Sequence, residues 1–157
     1  SKREHGQLMV TPQHIESVVE RYASLLAAHD ADGIAKLYAV DATVEDPMGA
    51  PPLVGRDAIL AFYRAAIERA QPERLLITGP VRVLADNTTA AAPLQSHSTR
   101  DGASVTVDII DVFTFDADGL ISSWPGRMHR KELPFMAPAG IPRYAAKSAT
   151  TSSRLTH

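Results

Sequence analysis

Two aspartates stand at positions where the sequence pattern would otherwise place apolar residues. In a strand predicted over residues 42–46, the period of two puts Asp46 on the same face as Ala42 and Val44. Pro47 has no backbone N–H to offer the carboxylate and favours an extended backbone at Asp46. The sequence therefore predicts an inward-facing, poorly solvated aspartate, which is a candidate general base. The alternative is a turn or cap aspartate that precedes a proline.

The second aspartate lies in the segment SVTVDIIDVFTF, residues 104–115. Alternation places Asp111 between Ile109 and Phe113 on one apolar face, whereas Asp108 falls on the other face. Burying a lone ionised carboxylate is costly, so such groups usually take up a proton or find a partner. We therefore expect burial to raise the pKa of Asp111 and to make it a neutral hydrogen-bond donor. The alternative is a structural acid bonded to backbone groups.

Three helices are predicted in the first half of the chain. The first begins with Thr11 as N-cap and Pro12 at the first helical position, the second covers residues 32–39 with Asp30 or Asp32 as its cap, and the third follows the loop GAPP. Their apolar faces are predicted to be Ile15, Val18, Val19, Tyr22, Leu25 and Leu26; Ile34, Leu37 and Tyr38; and Ile59, Phe62, Tyr63, Ala66 and Ile67.

Each helical face contains one tyrosine, whose hydroxyl needs a partner when it is buried. Tyrosines on such faces are more often core residues than catalytic ones, and for Tyr38 and Tyr63 both interpretations stay open.

Five strands are predicted in the second half of the chain, over residues 74–78, 81–84, 88–99, 104–115 and 120–124. Turns at Gly79-Pro80, Asp86-Asn87, residues 100–102 and Asp118-Gly119 separate them. Helices followed by an antiparallel meander indicate an α+β fold.

The composition is typical of one globular domain. The chain has 157 residues, of which 45% are hydrophobic, a formal net charge of -2 and no cysteine. Without a basic cluster or a long apolar run, we expect no nucleic-acid partner and no membrane span. We divide the chain into a flexible N-terminus (1–10), one domain (11–131) and a tail rich in Pro, Ser and Thr (132–157). Residues 1–7 lack a secretory apolar core, which favours a cytoplasmic protein.

Other common chemistries lack a sequence basis. The six histidines show no metal-ligand spacing, so no metal is expected. A G-x-S-x-G elbow, a P-loop and a G-x-G-x-x-G motif are all absent from the sequence, and no cofactor is predicted.

Several segments resemble ketosteroid isomerase (steroid Δ5-isomerase) of the NTF2-like, SnoaL-like superfamily. They are Arg21-Tyr22, LYAVDATVEDPMGAPPLVGRDAILAFYR, TGPVR and DIIDVFTFDADG, and the similarity covers about residues 15–121. The resemblance implies a cystatin-like conical α+β barrel, in which three helices pack on a curved, mixed and mostly antiparallel sheet, and usually a homodimer.

The resemblance also implies catalytic roles. Asp46 matches the family's general base, Tyr22 and Asp111 its oxyanion-hole pair, and Tyr38 and Tyr63 its supporting tyrosines. The implied reaction moves a C=C bond from Δ5 to Δ4 in a 3-oxosteroid without a cofactor. The family is an established example of a neutral carboxylic acid that donates to an oxyanion beside an aspartate base.

The substrate is expected to be a small apolar ketone such as a steroid. We expect the substrate pocket to be lined by Val44, Phe62, Leu94, Val107, Ile109, Phe113, Trp124 and Met128. Two segments depart from the family pattern. Pro125-Gly126 follows Trp124 and places Met128 near a position that is usually aromatic, and the polar segment 95–99 indicates either a more polar substrate or an exposed edge.

Two other functions remain open. One is a related isomerase or cyclase that acts on a different ketone, and the other is a non-catalytic module that binds an apolar ligand. The two acids favour an enzyme, because a binding module has no need of one ionised and one neutral carboxyl group in the same pocket.

Overall fold

The chain folds into three helices that pack against one mixed sheet. The computed structural model describes residues 10–46 and 49–125 and the backbone of residues 127–129. The elements are α1 (Pro12–Ala27), α2 (Ala31–Ala35), β1 (Tyr38–Val44), β2 (Leu53–Val54), α3 (Arg56–Ala70), β3 (Arg74–Ile77), β4 (Arg82–Val83), β5 (Thr89–Arg100), β6 (Ala103–Phe115), β7 (Ile121–Trp124) and β8 (Arg127–His129). The predicted N-terminal segment, Val10 excepted, and the predicted tail lie outside the described residues.

Helix α1 begins and packs as its sequence predicts. The Thr11 side chain accepts a hydrogen bond from the backbone N–H of His14 at 3.2 Å, and Pro12 occupies the first turn, where its missing N–H costs nothing. The buried side chains of this helix are Ile15, Val18, Val19, Tyr22, Ala23 and Leu26. Helix α1 contacts β3, so Tyr22 faces the interior of the domain.

Helix α2 is shorter than predicted. Asp30 caps it by accepting from the backbone N–H of Gly33 at 2.8 Å, but the helix ends at Ala35 and Tyr38 already belongs to β1. The prediction that placed Tyr38 on a helix was therefore wrong. The reason is a long-range contact, since the carbonyl of Leu37 accepts from the backbone N–H of Ile121 at 2.9 Å and the chain is drawn into the sheet.

The sheet is mixed and open. Its strand order is β2-β1-β7-β6-β5-β3, with β4 paired to β5 and β8 to β6. Strands β1 and β7 are parallel, and every other described pair is antiparallel. The predicted α+β class with a mostly antiparallel mixed sheet is confirmed. Strands β2 and β8 were not predicted, because two or three residues are too short to show an alternating pattern.

The β5–β6 hairpin fixes the position of Asp111. Its register pairs Ala92 with Asp111 and Leu94 with Ile109, and it continues to Arg100 opposite Ala103. The predicted face is confirmed, because Ile109, Asp111 and Phe113 are all buried. Because alternate residues of a strand share one face, Asp111 is buried together with its apolar neighbours on that face.

Among the described helices, none is long and apolar enough to cross a bilayer.

Candidate active site

Three tyrosines from three elements meet in the core. Helix α1 supplies Tyr22, the start of β1 supplies Tyr38 and α3 supplies Tyr63, and each side chain is at most 2% exposed. The Tyr38 and Tyr63 hydroxyl oxygens lie 2.6 Å apart, and the Tyr63 hydroxyl donates to the Tyr22 hydroxyl at 3.4 Å. The phenols therefore form a continuous chain from Tyr38 through Tyr63 to Tyr22.

Burial and nearby charge keep the middle phenol protonated. The pKa of Tyr63 is raised well above its ordinary value, first because burial penalises the phenolate and then because of the neighbouring Tyr38. The carboxyl group of Asp111 raises it further, which places Asp111 within electrostatic reach of Tyr63. A phenol that holds its proton so firmly acts as a hydrogen-bond donor.

Asp111 is the one buried acidic residue in the described part of the chain, with 0% of its surface exposed. On its strand face it lies between Ile109 and Phe113. The Phe113 ring packs edge-on against the Tyr22 ring, with centroids 5.1 Å apart. Tyr22 and Asp111 therefore belong to the same region of the core, as the pairing predicted from the sequence requires.

A cavity of about 830 Å³ opens between α3 and the β5–β6 hairpin. This volume is in the range that drug-sized ligands occupy. Its lining residues are Leu26, Asp46, Phe62, Tyr63, Ala66, Ile67, Arg69, Ala70, Pro72, Ser96, Ser98, Arg100, Val105, Thr106, Val107, Ile109 and Trp124. Tyr63 thus joins the hydroxyl chain to the cavity, while Tyr22 lies one hydrogen bond behind it.

Asp46 lines this cavity but is not buried. Strand β1 ends at Val44, the Glu45 N–H donates to the carbonyl of Trp124 at 3.0 Å, and Asp46 follows in an exposed bend. The predicted orientation of Asp46 towards the pocket agrees with its place on the lining, but the predicted strand up to residue 46 and the poor solvation of the carboxylate were wrong. The chain leaves the sheet at this point, and the Glu45 carboxylate accepts from the N–H of Gly49 at 3.1 Å.

Four of the predicted pocket residues line the cavity: Phe62, Val107, Ile109 and Trp124. Val44, Leu94 and Phe113 do not line it, because they are packed into the core with at most 1% exposure. The side chain of Met128 lies outside the described residues. The Phe62 and Trp124 rings, with centroids 6.0 Å apart, form an aromatic wall next to Asp46.

The polar segment 95–99 divides between two faces. Ser96 and Ser98 line the cavity, whereas Gln95 donates to Asp108 at 2.9 Å and contacts His97 at 2.8 Å. The exposed-edge interpretation was wrong, because β5 is paired with β3 on one side and β6 on the other over residues 95–97 of this segment. The interpretation of a more polar substrate stays a prediction.

The cavity also contains polar residues that the sequence did not single out. They are Arg69, Arg100 and Thr106. The position of Arg100 could have been predicted from the alternation of β5. Arg100 follows Leu94 by an even number of residues, so both side chains lie on the same face of the strand.

Within residues 10–46, 49–125 and 127–129, no group of three His, Asp or Glu residues could hold a metal ion.

Comparison with known proteins agrees with this geometry. Residues 19–124 match the family model of the SnoaL-like domain. The chain belongs to the SnoaL-like family. It is 39% identical over 109 residues to Steroid Delta-isomerase from Nocardioides simplex, an alignment that covers 69% of this chain and 85% of the relative. The resemblance to ketosteroid isomerase is therefore confirmed.

A solved structure has the same fold. It is the structure of SalBIII, an epoxide hydrolase/cyclase-like enzyme with a role in pyran ring formation in the polyether salinomycin. The two chains align with a TM-score of 0.67 and 23% sequence identity. The alignment covers 78% of this chain and 95% of the SalBIII chain. The similarity at this identity shows a shared NTF2-like architecture.

The raised pKa of Tyr63 predicts a pH-dependent stability. The folded protein keeps the Tyr63 proton at pH values at which the unfolded chain, with a pKa of about 10, has lost it. The contribution of this hydroxyl to the free energy of unfolding is therefore complete below about pH 10 and is lost as the pH rises towards the folded pKa. Tyr63→Phe should cost about 1–3 kcal/mol at pH 8, since Tyr38 and Tyr22 lose a hydroxyl partner. At pH 11 the free energies of unfolding of the parent and of Tyr63→Phe should lie closer together. Urea melts of both proteins at the two pH values measure this, and an equal difference at both would contradict it.

Proposed function

We propose that this protein is a cofactor-independent isomerase that moves a C=C bond from Δ5 to Δ4 in 3-oxosteroids. The observation that carries the proposal is one cavity, lined in part by apolar and aromatic side chains, with a solvent-accessible carboxylate, Asp46, on its lining and a buried acid, Asp111, in the neighbouring core. The similarity to a named steroid isomerase supports the same reaction.

Asp46 acts as the general base. A 3-oxo-Δ5-steroid that enters the cavity packs against Phe62 and Trp124, which lie beside Asp46 on the cavity lining. The carboxylate removes the C4 proton, and the electron pair moves into a dienolate whose negative charge rests on the ketone oxygen. The protonated Asp46 then delivers the same proton to C6, so no proton or electron is gained or lost.

Tyr22 and protonated Asp111 are the donors to the dienolate oxygen in this proposal. Neither side chain lines the cavity, so the ketone oxygen has to enter the core beside Tyr63 to reach them. Because Tyr63 donates to the Tyr22 hydroxyl, the Tyr22 proton is directed towards a further acceptor. Successive hydrogen bonds polarise one another, so the Tyr38–Tyr63–Tyr22 chain strengthens the final donor. Donors held in a water-poor core stabilise developing charge without reorganising during the reaction.

A different ketone is the second candidate substrate. The hydroxyl groups of Ser96 and Ser98 in the cavity wall favour it, because a purely apolar steroid would leave them without a ligand partner. The same acid pair would serve an isomerase or cyclase of this kind. The homodimer and the cytoplasmic location stay predictions.

Replacing the proposed base tests the first step. Asp46→Asn should reduce turnover of 5-androstene-3,17-dione by at least about 10²-fold while leaving ligand binding nearly unchanged, because the amide fills the same space but cannot accept the proton. The rise of ultraviolet absorbance of the conjugated enone measures turnover. Glu45→Gln is the matched control, since Glu45 is the adjacent acid and is absent from the cavity lining. Substantial turnover by Asp46→Asn would remove Asp46 as the base.

A second pair of variants tests which phenol contacts the oxyanion. Tyr22→Phe should lower turnover by about 10²- to 10³-fold, the usual effect of deleting one oxyanion donor, and Tyr63→Phe should lower it less. The comparison is informative because Tyr63 lines the cavity and Tyr22 lies behind it. A larger loss in Tyr63→Phe would identify Tyr63 as the principal donor.

A further inference from the structure

One set of side chains on the cavity lining is polar and positively charged. Arg69 comes from the last turn of α3 and Arg100 from the last residue of β5, and both line the cavity together with Ser96 and Ser98. None of these four side chains belongs to the proposed proton-transfer or oxyanion groups. They form the cationic end of the cavity.

Strand geometry separates the cationic end from the base. The aromatic wall of Phe62 and Trp124 lies beside Asp46, and Arg69 follows Phe62 by seven residues, or about 10 Å along the helix axis. In the sheet, Thr43 near the end of β1 and Thr114 of β6 both pair with Ser123, whereas Arg100 pairs with Ala103 at the other end of β6. The end of β1, which leads to Asp46, therefore lies away from Arg100 along the strand direction. A ligand that spans the cavity therefore meets a carboxylate at one end and two guanidinium groups at the other.

The parity of β5 explains why Arg100 reaches the cavity. Leu94, Ser96, Ser98 and Arg100 alternate with residues of the opposite face, so they share the concave side of the hairpin. The guanidinium group is thus positioned by the same pleat that buries Leu94. Arg100 is exposed at the end of the hairpin, so its guanidinium group can bind the part of a ligand that still contacts water.

Within the described residues, neither Arg69 nor Arg100 forms an ion pair. In the described part of the chain, the one ion pair joins Arg64 to Asp32, and Asp46 is the sole acidic residue that lines the cavity. The whole chain has a net charge of -2, so the local concentration of positive charge runs against the overall balance. Both arginines are exposed, so an anionic ligand group would replace part of their hydration, whereas an apolar steroid would leave them in water.

We propose that the substrate is a ketone whose far end carries an oxyanion group, either a carboxylate or a sulfate ester, which Arg69 and Arg100 bind and which Ser96 and Ser98 support with hydroxyl donors. This inference rests on the proposed isomerase function and specifies its substrate class. Guanidinium groups present forked donors that match such oxyanions, and anchoring the far end orients the reacting ring towards Asp46.

Ligand binding can be measured without turnover. Trp124 is the single tryptophan of the chain and lines the cavity, so its fluorescence reports occupancy. The probes are three Δ4-3-ketosteroids, which have no Δ5 bond to isomerise and carry a side-chain carboxylate, its methyl ester or a sulfate ester. We expect both anions to bind more tightly than the methyl ester at low salt, and added salt to reduce the preference.

The variants Arg69→Gln and Arg100→Gln should each weaken anion binding by about threefold to fivefold, as expected for partly solvated charge pairs. Arg64→Gln, on the same helix but outside the cavity, is the control that should keep the anion preference. The relative affinities of the carboxylate and the sulfate ester identify which oxyanion fits.

Two results would overturn the inference: equal binding of ester and anions by the parent, or an unchanged anion preference in the protein carrying both substitutions. Turnover of uncharged 5-androstene-3,17-dione by the parent tests the isomerase function separately. Absence of that turnover would refute the reaction while the fluorescence titrations still decide the anion site.

Discussion

Complete burial of the Asp111 carboxyl group is the constraint on which the candidate site depends. A carboxylate in an apolar wall is expensive unless it is protonated or closely partnered. Asp111 has Ile109 and Phe113 as neighbours on its strand face, and it raises the pKa of the nearby Tyr63. The surrounding core therefore places a buried carboxyl group close to buried tyrosine hydroxyls, and the pKa of the Tyr63 phenol is raised, first of all by burial.

The two acids differ because their backbone settings differ. Asp111 lies in the long β5–β6 hairpin, where the pleat directs its side chain into the core. Asp46 lies in a bend after the end of β1, where the chain has left the sheet and water reaches the carboxylate. Asp46 is therefore accessible to substrate and water, whereas Asp111 is enclosed by the core. The proposed reaction assigns the role of base to the accessible carboxylate and the role of neutral donor to the buried carboxyl group.

Sequence periodicity predicted the parts of the site that depend on local geometry. The helical spacing around Tyr22 and Tyr63 and the alternation around Asp111 both describe the observed faces. Two errors arose where long-range contacts decide the outcome. Pairing with β7 draws Tyr38 into a strand, and the departure of the chain from the sheet leaves Asp46 exposed.

The polar end of the cavity was less accessible to sequence reasoning. Arg69 and Arg100 stand near element ends, where charged residues are ordinary and carry no periodic signal. Their shared cavity becomes visible only when α3 is packed over the hairpin, which is a property of the tertiary fold. The same limit applies to strands β2 and β8, which are too short to produce a pattern.

Infrared spectroscopy of the carboxyl groups tests the central claim most directly. The parent and Asp111→Asn would be compared at pH 7.5, because a protonated carboxyl group has a C=O stretching band that an ionised carboxylate lacks. We predict that the parent shows one such band and that it disappears in Asp111→Asn, while Asp46→Asn retains it. A parent spectrum with carboxylate bands alone would show that Asp111 is ionised and would contradict the proposed oxyanion hole.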